Sequence, residues 1–309
     1  MSVSRIPRSR HIAGLVAVLA LAACARRERA APGAASSVTD DWNRSVALAA
    51  PARRIVSLAP HVTELLFAAG AGPQIVGAVE YSDYPPEARA IRRVGGYERL
   101  DFEAILALTP DLVVGWESGN GLDNLQRLKQ LGLAVFASQP GALPELAATI
   151  EKLGALAGTP EAAGREVARF RARSTALRVR YAGRGEVSVF YEIWNQPLMT
   201  VNDAHLISDV IRLCGGRNVF GRLRALAPTV NVEDVVRANP EAIVASGSGD
   251  ARPEWLDDWK RWPRMTAVAR GNLYVVPPEL IQRATPRVLD GAERLCAALD
   301  DARRKRPRS

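Results

Sequence analysis

From residue 53 onward, short apolar runs alternate with amphipathic stretches. RIVSLAP (54–60) reads as a buried strand leading into an apolar-rich helix over 61–69, which stops at Gly70, a residue able to take the left-handed conformation of a C-cap. IVGAVE (75–80), DLVVGW (111–116) and LAVFAS (133–138) read as three further strands, with helices over about 101–108 and 122–131 between them. Strands separated by helices pair in parallel, so this pattern predicts an α/β fold. After Pro144 the pattern turns helical, through ELAATIEKLGALAG, a break at Thr159-Pro160, and EAAGREVARFRARSTALRVRYAG. Pro160 suits a first helical turn, and the proline-free stretch behind it predicts a helix of about 20 residues, roughly 30 Å long, able to bridge two lobes. EVSVFYEIW (186–194) then resumes the strand pattern. A helix near 203–214 ended by Gly215-Gly216, strands at EAIVAS and NLYVVP, and a last helix over 286–299 complete a second set.

The two sets echo each other. Asp101 to Pro110 followed by DLVVGW aligns without a gap on Asn231 to Pro240 followed by EAIVAS, at an offset of 130. Each copy opens on an Asx residue suited to N-capping, carries a glutamate two positions later (Glu103, Glu233), and closes its helix before proline. The expected architecture is therefore two Rossmann-like lobes with parallel sheets, bridged by a single long rigid helix. The expected boundaries are 53–145 for the first lobe, 146–185 for the helical region and 186–300 for the second lobe.

Flanking segments set the compartment. Arg5, Arg8 and Arg10 precede an apolar run over 12–23 that is too short to span a bilayer, so 1–23 reads as an export signal. It ends in Leu21-Ala22-Ala23-Cys24, which resembles the lipobox of bacterial lipoproteins, with Cys24 as the lipidated residue. The polar, Ala/Pro/Gly/Ser-containing stretch that follows makes 24–52 a flexible tether, and 301–309 a basic tail. In an oxidising setting the remaining cysteines, Cys214 and Cys296, suit a disulfide, with two buried thiols as the alternative.

Among 309 residues, 48% are apolar and 24% charged, the composition of a globular protein. The formal charge of +8 is concentrated in the signal, in 151–185 (eight Lys/Arg against three Asp/Glu) and in the tail (five against one). Residues 51–150 carry eight basic against eleven acidic side chains, so no stripe for tracking nucleic acid is expected.

Only His61 and His205 survive signal removal, no G-x-S-x-G surrounds a serine, and no phosphate-binding glycine motif follows a strand; Gly247-Ser248-Gly249 has no such signature. An exported hydrolase is unsupported, and His61 reads as a capping or packing residue. Aromatics instead gather at strand ends: Tyr81 and Tyr84 after IVGAVE, Tyr97 before the 101–108 helix, Trp116 and Trp194. Ligands of open parallel sheets sit beyond the carboxyl ends of strands, so these rings could wall one cleft. Glu103 and Glu233 form a matched acidic pair able to meet two arginine pockets on a symmetric partner.

At these residues the chain resembles the periplasmic cobalamin-binding proteins of ABC importers, within the class that carries corrinoids, haem and siderophores. The likeness covers about 53–299 and is densest in EYSDYPPEAR (80–89), FEAILALTPDLVVGW (102–116), LCGGRNVF (213–220), VEDVVRANPEAIV (232–244) and ELIQRATPRV (279–288). It implies a corrin ring held edge-in between the lobes. Tyr81, Tyr97 and Trp116 would form the first wall, with the loop Glu279, Leu280, Ile281, Gln282 and Arg283 opposite, beside Trp194 and Met199. It further implies that Glu103 and Glu233 dock onto permease arginines and that Cys214 and Cys296 form the family's disulfide. Tyr97 stands where the pattern has tryptophan, Glu279 where it has aspartate, and Ala227 where an aromatic is expected; Trp194 supplies a ring nearby. The resulting expectation is a monomeric, lipid-anchored protein of the cell envelope, not an enzyme. It would hold no metal or cofactor of its own, capture cobalamin, hand it to an ABC permease, and move its lobes little. The alternative cargoes are a ferric siderophore or haem, the latter drawing on His205 or a tyrosine as axial ligand.

Overall fold

The computed structural model describes Met1 and residues 36–247 and 252–307. The export signal, Cys24 and most of the Gly247-Ser248-Gly249 loop lie outside the described residues. Strands β1 (Ser36–Thr39) and β2 (Ser45–Leu48) form an antiparallel hairpin. Strands β3 (Ile55–Ser57), β4 (Ile75–Ala78), β5 (Leu112–Trp116) and β6 (Val135–Ser138) form a parallel sheet in the order β4-β3-β5-β6. Helices α1 (Pro60–Ala68), α2 (Phe102–Ala107), α3 (Glu117–Asn120), α4 (Leu122–Gln130) and α5 (Leu143–Ala157) belong to this lobe. Its strands are apolar and almost wholly buried, as both-faced parallel sheets require.

Helix α6 (Pro160–Tyr181) has 22 residues and is the bridge. It buries Ala163, Val167, Phe170, Leu177 and Tyr181, positions three, four or seven apart that fall on one stripe. The α5–α6 turn is tight because Gly154 has no side chain: a Cβ there would stand 2.4 Å from that of Ala163.

The second lobe repeats the first. After β7 (Val187–Glu192), a small hairpin of β8 (Trp194–Asn195) and β9 (Leu198–Met199) precedes α7 (Leu206–Leu213). Strands β10 (Gly216–Asn218), β11 (Ala242–Ala245) and β12 (Leu273–Val275) join β7 in the order β10-β7-β11-β12, all parallel. Helices α8 (Val232–Ala238), α9 (Thr266–Ala269), α10 (Pro278–Ile281) and α11 (Val288–Arg304) complete it. In both lobes the second strand pairs outside the first and the third and fourth follow on its other side. The echo at offset 130 extends to backbone conformation: Thr109 (φ 44°) and Asn239 (φ 43°) both take the left-handed region immediately before a buried proline.

Three expectations are corrected. The stretch 24–52 is not a tether over its described part. The Asp40 carboxylate accepts from the backbone N–H of Trp42 (3.0 Å) and Arg44 (2.8 Å), which shapes the turn, and Val46 enters the core. Asp41 then accepts from Gln139 N–H (2.8 Å) and Lys152 (3.0 Å), fastening the hairpin to the first lobe. The basic tail is likewise structured: α11 continues to Arg304, Arg303 donates to Gly185 O (2.7 Å), and Arg306 holds Glu241 through two contacts of 2.7 Å. The helix expected from 203 begins only at Leu206.

Cys214, the C-cap of α7, is disulfide-bonded to Cys296 of α11. The bond closes a sequence separation of 82 residues, so replacing both cysteines by alanine should lower unfolding free energy by about 2–4 kcal/mol. Urea melts of variant and wild type with equal midpoints would contradict this.

Candidate functional site

In both sheets the strand order reverses beside the first strand, between β3 and β5 and between β7 and β11, which is where ligands of such sheets bind. A small cleft of about 80 Å³ lies there. The first lobe contributes His61, Trp116, Ser118 and Gln139; the second contributes His205, Leu226, Ile281 and Gln282. Among the residues lining it there is no lysine or arginine.

Trp116 anchors the first wall. Its ring meets His61 edge-on at 5.1 Å and Tyr97 at 5.8 Å, and it lies over Gly119, where any Cβ would overlap it. Buried Asn120 braces this wall: its side chain donates to Leu58 O (2.8 Å) and Tyr97 O (2.7 Å) and accepts from Trp116 N–H (2.6 Å). One amide thus fixes the end of β3, the Tyr97 loop and the end of β5, a role that no local sequence signal announces.

Opposite, the residues 279–283 are not the expected loop. Glu279, Leu280 and Ile281 lie in α10, begun by Pro278 at a first helical turn, and Ile281 is buried. Gln282 donates to Ile193 O (3.3 Å), beside Trp194, while Arg283 reaches Asp83 (2.9 Å), in the loop that carries Tyr81. Two exposed rings, Tyr81 (72%) and Trp194 (59%), thus belong to segments that this turn contacts, one from each lobe. Trp194 does not end β7 as expected; it opens the β8–β9 hairpin, with Met199 as its cross-strand partner. Of the residues expected at the site, Trp116, Ile281 and Gln282 line the cleft. Tyr97 and Arg283 adjoin it, whereas Met199, Glu279 and Leu280 are not in its wall.

A buried carboxylate ties the lobes together. Glu64 of α1 accepts from Arg283 (2.9 Å) and, through both oxygens, from Arg287 (2.9 and 2.7 Å). The Arg287 guanidinium also covers the Tyr84 ring at 3.9 Å. Both arginines near the cleft are thereby neutralised by Glu64 and Asp83.

Both histidines are held neutral. Burial, reinforced by the Arg283 charge, lowers the His61 pKa to about 3, and burial lowers that of His205 to about 4. His205 caps α7, its Nδ1 accepting from Ile207 N–H (3.1 Å), which assigns the proton to Nε2. Glu192, at the end of β7, is shifted the other way: burial raises it to about 7 although Trp259 Nε1 donates to it (2.7 Å).

Glu103 and Glu233 occupy the first turns of α2 and α8, are exposed, and have no hydrogen bond or ion pair among the described residues. No group of three or more metal-ligating side chains occurs among the described residues.

The depressed histidines give a definite pH dependence. The unfolded chain takes up a proton at each as pH falls through 6.5, whereas the folded chain does so only near 3–4, so their contribution is full above 6.5 and lost in acid. Each accounts for about 2 kcal/mol of lost stability by pH 5. Glu192 opposes this, since its contribution is full below 4.5 and lost as pH rises through 7. The His205→Asn variant, which keeps a capping side chain, should therefore lose about 2 kcal/mol less than wild type between pH 8 and pH 5 in urea melts. Parallel losses would refute the assignment.

Residues 55–280 match the periplasmic binding protein family. A vitamin B12-binding protein of Vibrio cholerae serotype O1 is 36% identical over 256 residues, covering 82% of this chain and 92% of that protein. One from Photorhabdus laumondii is 33% identical over 249 residues, covering 80% and 88%. The crystal structure of the periplasmic vitamin B12 binding protein BtuF of Vibrio cholerae superposes with a TM-score of 0.75 at 36% identity, covering 82% of this chain and 98% of that one. The periplasmic heme-binding protein RhuT from Roseiflexus, at 23% identity and a TM-score of 0.69 over 81% and 98%, shares the fold.

Proposed function

Because the chain belongs to the periplasmic binding protein family, we propose that it is a lipid-anchored solute-binding protein that captures cobalamin outside the inner membrane and delivers it to an ABC permease. The observation that carries this reading is the character of the cleft, a gap between matching lobes lined by Trp116, two imidazoles, aliphatic and uncharged polar side chains, beside which Arg283 and Arg287 are both paired with carboxylates. A corrinoid is a bulky macrocycle rimmed by uncharged amides, and such a wall suits it. Haem carboxylates and anionic siderophores call for converging cations, so this wall disfavours them. The relatives named for vitamin B12 binding, at 33–36% identity over most of the chain, point the same way.

Trp116, with Tyr97 beside it and Tyr81 at the rim, packs against one face of the ligand, while Ile281 and Gln282 meet it from the second lobe, flanked by Trp194 and Arg283. No bond is made or broken. The bridge α6 is continuous and pinned at Arg173 by Asp290 (2.7 Å) and Glu293 (2.9 Å) of α11, which favours small lobe movement over wide closure. Glu103 and Glu233, unpaired on equivalent helices, serve as the knobs that engage permease arginines.

Calorimetric titration of the purified protein with cobalamin, haemin and a ferric siderophore should give tight one-to-one binding with cobalamin alone, and Trp116→Ala should weaken it at least tenfold. Haemin or siderophore binding without cobalamin binding would sink the proposal. Combining Glu103→Ala with Glu233→Ala should leave cobalamin affinity unchanged and abolish uptake by whole cells; normal uptake by that variant would remove the docking role.

A further inference from the structure

The matching topology of the lobes has a chemical counterpart at the cleft floor. In each lobe the first helix after the first strand starts at the cleft with a histidine: His61 in the first turn of α1, and His205 at the N-cap of α7, beyond the β8–β9 hairpin. Both line the same cavity. His61 is 7% exposed, touches Trp116 edge-on, and has no hydrogen bond at either ring nitrogen among the described residues. His205 donates nothing within the protein: Nδ1 accepts from Ile207 N–H, and Nε2 has no partner among the described residues. No ring nitrogen of either histidine is among the sealed, partnerless polar atoms of the described residues, so these nitrogens open onto the cleft and are available to a ligand.

We propose that His61 and His205 are the polar readers of the ligand's rim, His205 donating through Nε2–H to an amide carbonyl and His61 pairing with a neighbouring amide through its N–H or its lone pair. The assignment rests on the corrinoid reading above. Burial keeps both rings uncharged throughout the envelope pH range, and Glu64 with Asp83 cancels the nearest guanidinium charges. A neutral imidazole matches an amide, which offers both donor and acceptor, and gives a carboxylate no compensating charge. The pair therefore selects amide-rimmed over carboxylate-rimmed macrocycles.

The test titrates the full chain with cobinamide and with cobyrinic acid, which share the corrin ring and differ chiefly in carrying amides or carboxylates. Wild type should bind cobinamide at least a hundredfold more tightly. His205→Asn, which retains an N-capping side chain, and His61→Phe, which retains a ring beside Trp116, should each weaken cobinamide about tenfold while leaving cobyrinic acid nearly unchanged, so that the preference shrinks. A merely structural role would weaken both ligands alike, and that result overturns the proposal. Cobinamide bound equally by wild type and both variants overturns the histidine assignment and leaves the transport reading standing. Wild type that binds no corrinoid overturns both.

Discussion

One carboxylate sets both the spacing and the electrostatics of the cleft. Glu64 leaves the first lobe from α1 and receives two guanidinium groups from the second, with Arg287 engaging both of its oxygens. Charge-assisted, two-pronged contacts of this kind are directional, so they fix orientation as well as distance. They also withdraw the two nearest positive charges from the cavity. The lining that remains is aromatic, aliphatic and uncharged-polar, and that character underlies the preference proposed for an amide-rimmed guest.

The rest of the architecture holds that arrangement rigid. Two sheets of identical strand order are joined by a helix whose apolar stripe is buried along its length and whose Arg173 is tied to α11. The disulfide draws α7 toward α11, the helix that follows Arg287. The same duplication places Glu103 on α2 and Glu233 on α8 at equivalent positions, so one repeated layout supplies the cleft between the lobes and a matched pair of exposed carboxylates.

Much of this could be read from the chain. Buried parallel strands are continuous apolar runs, and they appeared as such; the bridge showed itself as a proline-free amphipathic stretch; the duplication lay open in the gapless match around Pro110 and Pro240. What could not be read depends on contacts distant in sequence. Glu64 meets Arg283 across 219 positions, and nothing near either residue names the other. Arg306 looks like part of a solvated tail until Glu241, 65 positions away, receives it. The β1–β2 hairpin escaped because its short strands are built from Ser, Thr and Ala as much as from Val, and because Asp40 and Asp41 act as turn and brace residues while reading as linker. His61 reads as a packing residue because only the fold brings it to the cavity that His205 also lines.

That hairpin ties Asp41 to the cavity. Asp41 accepts from the backbone of Gln139, and the Gln139 side chain accepts from Ser118 N–H (3.1 Å), both residues lying in the cleft wall. The hairpin is thus two hydrogen bonds away from Ser118 in the cavity wall. A chain cut back to residue 53 would keep both sheets and the bridging helix yet lose the outer support of that wall.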